Sequence, residues 1–470
     1  MPTECKQKSF KFQPHFKREV ISTFDGGTIT SDGGSLLLRE VETKRGIIRQ
    51  FCECFSDFRD PEKIEHKAEE LIAQRLYGLA LGYEDLNDHD ELRWDPMLAI
   101  LVGKEDPTGR GRLRERDRGK ALAGKSTLNR VELTPQDADA RSRYKKVVLH
   151  PEKVDRFFVD IFLQSRRRAP VQIILDLDAT DDPLYGQQEG RFFHGYYYHY
   201  CYLPLYIFCG NDLLCARLRR SNIDPAEGSV EELDRIVGRI RQKWPNVKII
   251  IRGDSGFCRD SLMNWCEGNG VDYVLGIAKN PRLTQHIEEE LEEAKKEYEE
   301  TGRASRIFKD FQYRTLKSWS RSRRVVAKAE YLVKGANPRF VVTSLPAESL
   351  SGRAVYEDLY CGRGDMENRI KEQQLYLFAD RTSCTQMRAN QIRLCFSSVA
   401  YTLMEALRRW GLKGTKMAKA QCHTIRLKLL KIGARVRITV RKVWISMASG
   451  YPYEKTFAQA YANLQRAGPL

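Results

Sequence analysis

The sequence predicts an α/β fold. A mixed sheet with flanking helices is interrupted by a β-rich insertion, with a helical region before it and a small basic region after it. Three observations carry this reading. Short runs rich in Ile and Val, VQIILDLDAT from residue 171 and NVKIIIRGD from residue 246, flank an amphipathic stretch, SVEELDRIVGRIRQKW. Such runs read as buried strands of a sheet whose faces are covered by helices. Three further β-rich runs, FKDFQYRTL, RRVVAKAEYLVKG and PRFVVTSL, break that alternation between residues 305 and 344. Charge is the third observation. From Arg381 onward 17 Lys and Arg stand against only Glu405 and Glu454, a net of +15 in a chain whose total is +16.

The elements follow in chain order. Residues 1–168 read as a mainly helical region. FDGGTITSDGGSLLL (24–38) suggests turn-rich strand structure. In residues 61–83, Ile64, Leu71, Ile72, Leu76, Leu79 and Leu81 recur at roughly helical spacing. A second helix is predicted over 90–102, with shorter ones around 126–130 and 151–168. Val171 begins a buried strand. HGYYYHYCYLPLYIFCG (194–210) is a second β-rich stretch whose tyrosines suit core and cross-strand packing, with one or two of them facing DNA as the alternative. NDLLCARLR is a third strand, entered through a Gly-Asn-Asp turn. The amphipathic helix starts with Ser229 as N-cap and Glu232 completing a capping box. Strand 246–254, a helix through 262–266 and strand 271–280 come next. Residues 282–302 predict a charged helix, and helices resume near Gly362. The predicted segments are 1–168, a core in two parts (169–281 and 356–410), an insertion (282–355) and a basic region (411–470).

Composition narrows the function. The longest apolar stretch, near 394–407, contains Glu405 and is too short and polar to span a bilayer. The first residues lack the apolar core of a secretory signal. The 12 cysteines are irregularly spaced and contain no C-x2-C, so the expectation is reduced thiols in a cytosolic protein. The basic tail includes RLKLLKIGARVRITVRKVW (426–444), with Arg426, Lys428, Lys431, Arg435 and Arg437. From Ala434 to Ile445 basic and apolar residues alternate, which predicts a strand with one basic face. A polyanion partner, nucleic acid first, is the expectation.

Two carboxylates stand at strand C-termini, where α/β sheets place their sites: Asp178 and Asp254. Asp176, two residues before Asp178 and on the same face, is a rival or a buried supporting group. A third candidate, Glu367, follows the insertion, with Tyr360 and Arg363 at offsets that bring all three to one helix face. Gly362 and Gly364 place the start of that helix near Arg363. Three converging carboxylates repel one another unless cations lie between them. Oxygen donors suit Mg²⁺ or Mn²⁺.

The motifs around these residues resemble those of insertion-sequence DDE transposases with an RNase H-like fold, in the "thirteen-eighty" branch. Asp178-Ala179-Thr180 resembles the first motif, Asp254-Ser255-Gly256-Phe257 the second, and Tyr360-x2-Arg363-x3-Glu367 the third. Further similar stretches are YEDLNDHDELRWDP (83–96), LAGKSTLNRVE (122–132), DATDDPLYGQQEG (178–190) and RLKLLKIGA (426–434), so the likeness spans nearly the whole chain. The family motif often continues to a Lys. Here that position is Gln374, with Lys371 nearly one turn earlier.

The resemblance implies binding to terminal inverted repeats and to target DNA, followed by metal-dependent cleavage and strand transfer. It implies Asp178, Asp254 and Glu367 as catalytic ligands of two Mg²⁺ ions, with Mn²⁺ able to substitute. It also implies Arg363 and Tyr360 as DNA contacts, Lys371 as a stand-in for the family Lys, and a homodimer on DNA in a bacterial cytosol. In relatives an aromatic residue of the insertion can stack on an extruded base. Trp319, in the basic loop KSWSRSRR, is the candidate here, and a packed strand Trp is the alternative. The alternatives for the whole protein are a metal-dependent nuclease without strand transfer and a non-catalytic DNA-binding descendant of a transposase.

Two motifs are decoys. GKALAGKS (119–126) satisfies a phosphate-binding loop pattern, but GRLRERDR before it cannot be the buried strand such a loop needs, so no nucleotide cofactor is expected. DLDATDD lacks the Gly and Glu of a calcium loop. His194 and His199 read as strand residues.

Overall fold

The computed structural model describes residues 9–468. The chain forms two compact units. The larger holds residues 49–59 and 130–405, and the smaller holds the described residues up to 48, residues 60–129 and those from 406 on. The smaller unit thus draws on both ends of the chain.

The larger unit is built on a nine-stranded sheet: β1 Gln172–Ala179, β2 Leu205–Cys209, β3 Asp212–Arg217, β4 Lys248–Gly253, β5 Asp272–Ile277, β6 Ser305–Tyr313, β7 Arg323–Leu332, β8 Gly335–Ala336 and β9 Arg339–Thr343. Their order is β3-β2-β1-β4-β5-β9-β7-β6, with β8 on β7. β1, β4 and β5 are parallel, and β2 runs antiparallel to both of its neighbours, β1 and β3. An antiparallel meander followed by two parallel strands beside its first strand is the RNase H-like arrangement. The inserted strands do not form a layer of their own. β9 pairs antiparallel with β5, so the insertion extends the core sheet.

Strand alternation decides which residues meet. On one face Ile173, Leu175 and Leu177 of β1 and Ile249 and Ile251 of β4 join a large apolar core. Helices α1 (Ser229–Lys243), α2 (Asp260–Gly268) and Pro151–Gln164 pack there through Leu233, Ile236, Leu262, Met263 and Phe162. On the other face Ile174 and Ile250 meet Val355, Tyr356 and Tyr360 of a helical segment. Asp176 and Asp178 share parity with Ile174, as Arg252 and Asp254 do with Ile250, so both carboxylates fall on the face that this helical segment covers.

Several expected boundaries shift for local reasons. The helix expected over 90–102 is broken into His89–Leu92 and Pro96–Val102, because Asp95 caps Met97 and Pro96 bars a helical residue before it. The charged helix splits into Pro281–Gln285 and α3 (Glu288–Thr301). Gly228, not Ser229, is the N-cap of α1. Ser229 is its first residue and donates to Ala226 O. The SLLL of 24–38 opens a helix, Leu36–Arg45, rather than a strand.

In the smaller unit, helices Leu36–Arg45, Ala68–Leu81 and Glu454–Arg466 accompany a three-stranded sheet of Val443–Met447, Ala434–Ile438 and Ile29–Thr30. The basic stretch expected as one strand to Ile445 is a hairpin turning after Ile438. Ala434 and Val436 point inward while Arg435 and Arg437 are exposed, so the basic face is present on its first strand. Among the described residues no helix is long and apolar enough to cross a membrane.

Candidate active site

Asp178 lies near the end of β1 and Asp254 just past the end of β4. Residues 352–376 are helical throughout, passing through wide π-turns on either side of an α-helical stretch, α4 (Gly364–Lys371). The helix therefore begins about ten residues before the start expected from Gly362 and Gly364. Packing on the sheet outweighs their poor propensity. Gly362 has a positive role: a Cβ there would meet Arg252 Nη1 at 2.7 Å. Gly276 of β5 likewise leaves room for the Tyr360 hydroxyl. Wide π-turns recur at functional sites, where they re-aim side chains.

Asp178, Asp254, Arg363, Glu367, Lys371 and Gln374 line one cleft of about 540 Å³. Arg363 bridges it, with Nη2 3.0 Å from Glu367 Oε1 and Nη1 3.8 Å from Asp178 Oδ2. Burial pushes the Asp178 carboxyl up to about 6. Arg363 opposes that shift, and the like charges of Asp254 and Glu367 add to it. Asp254 Oδ1 accepts from Gly256 N at 2.8 Å, which fixes its rotamer at the head of the turn Ser255–Phe257. Tyr360 is raised by burial, with its ring on Tyr356.

The donor chemistry of this cleft suits a hard divalent cation. Its acidic groups, Asp178, Asp254 and Glu367, offer only carboxylate oxygens, the donors such a cation takes. Among the described residues, no three His, Cys, Asp or Glu side chains are already drawn together at ion-binding spacing. The Arg363 guanidinium reaches two of the three carboxylates instead.

Asp176 is already paired and does not line the cleft. It forms a two-pronged, buried ion pair with Arg252, Nη2 to Oδ2 at 2.8 Å, and Arg252 Nη1 also donates to Leu359 O. This ties β1, β4 and the helical segment together directly beneath the cleft. Gln374 is committed as well. Its amide nitrogen donates to Asp182 Oδ1 at 2.8 Å and to Asp181 O at 3.1 Å, so it anchors its helix to the loop after Asp178. Lys371 is exposed on the cleft wall.

Asp182 is fully buried, and burial holds its carboxyl up at about 8. The folded protein therefore keeps a proton that the unfolded chain releases near pH 4. Stability falls as pH rises from about 4 to about 8 on this account. Asp182→Asn, which keeps the acceptor for Gln374, is expected to flatten the decline of Tm between pH 5 and 8. A scan of Tm against pH checks it.

Not every expected contact lies where the sequence placed it. Trp319 is 4% exposed, edge-on to Tyr313 within the main core, so its ring has no face to offer a base. The basic loop around it hid a packed side chain. Arg426 is also buried. It donates to Ala80 O and Leu79 O at the end of helix Ala68–Leu81, where a cation complements the helix dipole. Lys431 lies 2.7 Å from Asp32 Oδ1 and over the Tyr83 ring. Lys428 is exposed, beside Tyr453.

The tyrosine run, expected mainly as packing, is what the sequence reading undervalued. His194, Tyr196 and Tyr197 line the cleft beside the carboxylates. Gly195, set between two strand-like aromatic runs, was the available sign of a hairpin.

Sheet order and acidic cleft together define the class, an RNase H-like α/β protein with its polar groups at the ends of the parallel strands. The family model described as "Transposase DDE domain group 1" matches residues 12–469, and the chain belongs to that family, in agreement with the D-x-T, D-S-G-F and Y-x2-R-x3-E motifs. Among solved structures the chain is similar to a piggyBac transposase in a synaptic complex with hairpin DNA. Identity is 12% and the TM-score 0.40, over 94% of this chain and 86% of that one. No curated protein matches it.

Proposed function

We propose that this transposase is encoded by an insertion sequence, binds the terminal inverted repeats of that element, and cuts and joins DNA strands at the cleft of Asp178, Asp254 and Glu367. The observation that carries this is the convergence of those three carboxylates with Arg363 in one cleft, two from the sheet and one from the helix over it. Asp178, Asp254 and Glu367 would hold Mg²⁺ or Mn²⁺, two ions per site, whose chemistry is to activate the attacking oxygen and offset charge on the leaving one. Arg363 presents a planar fork suited to a phosphate next to the cut. Tyr360, buried around its ring, donates its hydroxyl to the DNA backbone. Lys371 adds a cation on the cleft wall.

DNA is held beyond the cleft by residues of 1–168 and by the basic C-terminal region. Lys428, Arg435 and Arg437 are among the exposed cations of that region and are suited to phosphate. Replacing Arg435 and Arg437 together by Ala is expected to weaken DNA binding. It should also reduce the slope of log K against log salt concentration by about 1 per lost contact. Arg426→Ala should instead lower Tm. Titrations at several salt concentrations separate the two effects. Because transposition joins two element ends, a homodimer on DNA is part of the proposal.

The deciding experiment is cleavage of labelled DNA carrying the flanking terminal repeats, in Mg²⁺, Mn²⁺, Ca²⁺ or EDTA. Nicking at the repeat boundary in Mg²⁺ or Mn²⁺ is expected, followed by joining of the freed 3′-OH to a target plasmid. Nicking without joining would leave a nuclease. Binding without nicking in any metal would leave a DNA-binding protein without catalysis.

A further inference from the structure

The hairpin that follows Asp178 carries an aromatic surface that the cleavage chemistry does not use. Strands Phe192–His194 and His199–Tyr202 pair antiparallel, with Phe193 opposite Tyr200. At the tip Tyr196 is 80% exposed and Tyr198 82%. Tyr185, in the connection that leads into the hairpin, is 93% exposed. Phe193 and Tyr200 are exposed as well, edge to face, with Arg191 lying 3.9 Å over Tyr200. Tyr198 has φ 57°, in the left-handed region that bulky residues seldom adopt. Gly or Asn would relieve that strain, so folding alone does not account for a large ring there.

The surface runs into the cleft. His194, Tyr196 and Tyr197 form part of the wall that Asp178, Asp254 and Glu367 share. Tyr196 packs edge-on against Tyr197 at 5.0 Å, and Tyr197 stacks with His199, which Asp181 holds at 2.7 Å. Tyr197 is therefore braced on both sides, while Tyr196, which reaches from the cleft wall to the tip, and Tyr198 stay largely exposed. Between residues 191 and 200 there is no aliphatic side chain, only aromatic residues, two His, Gly and Arg.

We infer that this hairpin is a stacking platform for unpaired nucleotides beside the phosphate held in the cleft, an inference that rests on the proposed function. Within a duplex, base faces are hidden in the stack, and only unpaired bases present a π-face to a ring. Aromatic rings interleaved with cations along a groove are how proteins hold single strands without reading sequence. Continuity with the cleft wall favours nucleic acid over a second protein as the occupant. The platform lies in the connection after β1, not in the insertion that holds the buried Trp319.

The test compares two DNAs with the full-length protein in Ca²⁺, so that binding is measured without cleavage. One DNA is fully paired across the repeat boundary. The other has three unpaired nucleotides there, with 2-aminopurine among them. The wild type is expected to favour the unpaired DNA by about tenfold or more and to quench its 2-aminopurine fluorescence. Tyr196→Ala with Tyr198→Ala should abolish both the preference and the quenching. Tyr196→Phe with Tyr198→Phe should keep them, which rules out misfolding as the cause. The inference is overturned if the Ala pair keeps the preference, or if it weakens both DNAs equally. A shift from dimer to monomer with the preference unchanged would also overturn it, assigning the surface to a second copy. Cleavage at the boundary without any such preference would sink the platform alone. Failure to bind either DNA would sink the proposed function with it.

Discussion

Glu367→Gln is expected to cut the rate of strand cleavage by about 10³-fold or more, while affinity for terminal-repeat DNA stays within about twofold. Gln keeps the shape of Glu but loses the charge that a divalent cation needs, and loss of a group acting in the transition state falls on the chemical step. Glu367 is half-buried and its side chain bonds to Arg363, also of the cleft, so the variant should fold normally. Asp365→Asn, two residues and so about half a turn away on the same helix and exposed, is the control that should cleave as the wild type does. Single-turnover cleavage gels and an anisotropy titration measure the two quantities. Full activity in Glu367→Gln would move the third carboxylate elsewhere and undo the proposed site.

Arg252→Ala should destabilise the larger unit by about 3–5 kcal/mol, because it leaves Asp176 charged and buried without its partner. Burial already pushes the Asp176 carboxyl up, and the bond to Arg252 is what opposes that. The same substitution removes the donor to Leu359 O and so loosens the helical segment from the sheet. A Tm lower by about 10 °C follows for a unit of this size. The paired replacement Asp176→Leu with Arg252→Met should recover much of the loss, since a buried ion pair can be exchanged for apolar groups at little cost. Activity need not return with stability, because the pair also sets where β1, β4 and the helical segment that carries Glu367 meet. Thermal unfolding and cleavage assays on the three proteins test this. An unchanged Tm in Arg252→Ala would mean that the pair contributes nothing.

Local pattern made the core strands legible. VQIILDLDAT and NVKIIIRGD are strands because Ile and Val fill both faces, and the helix between them has one apolar stripe. A buried strand also announces its end, so Asp178 and Asp254 could be picked out as strand-terminal carboxylates. Where expectation failed, a longer-range contact outweighed a local one. The glycines at 362 and 364 argue for a helix start, yet packing on the sheet carries helical structure through them. The basic loop around Trp319 argues for exposure, yet Tyr313 and the main core enclose the ring. Arg426 looks like its neighbours in a basic run, and only the end of helix Ala68–Leu81 distinguishes it.

By itself the sequence determined the fold class, the family motifs, the three carboxylates as candidates and the concentration of positive charge at the C-terminal end. These depend on residue type and on spacing along one segment. Tertiary structure alone decided that Asp176 pairs with Arg252, that Gln374 is an anchor to Asp182, and that the inserted strands extend the core sheet. It also decided that the tyrosine hairpin stands open beside the cleft. Each of these joins residues far apart in the chain, and which partner a side chain meets across such a distance is set by packing, not by its neighbours in sequence.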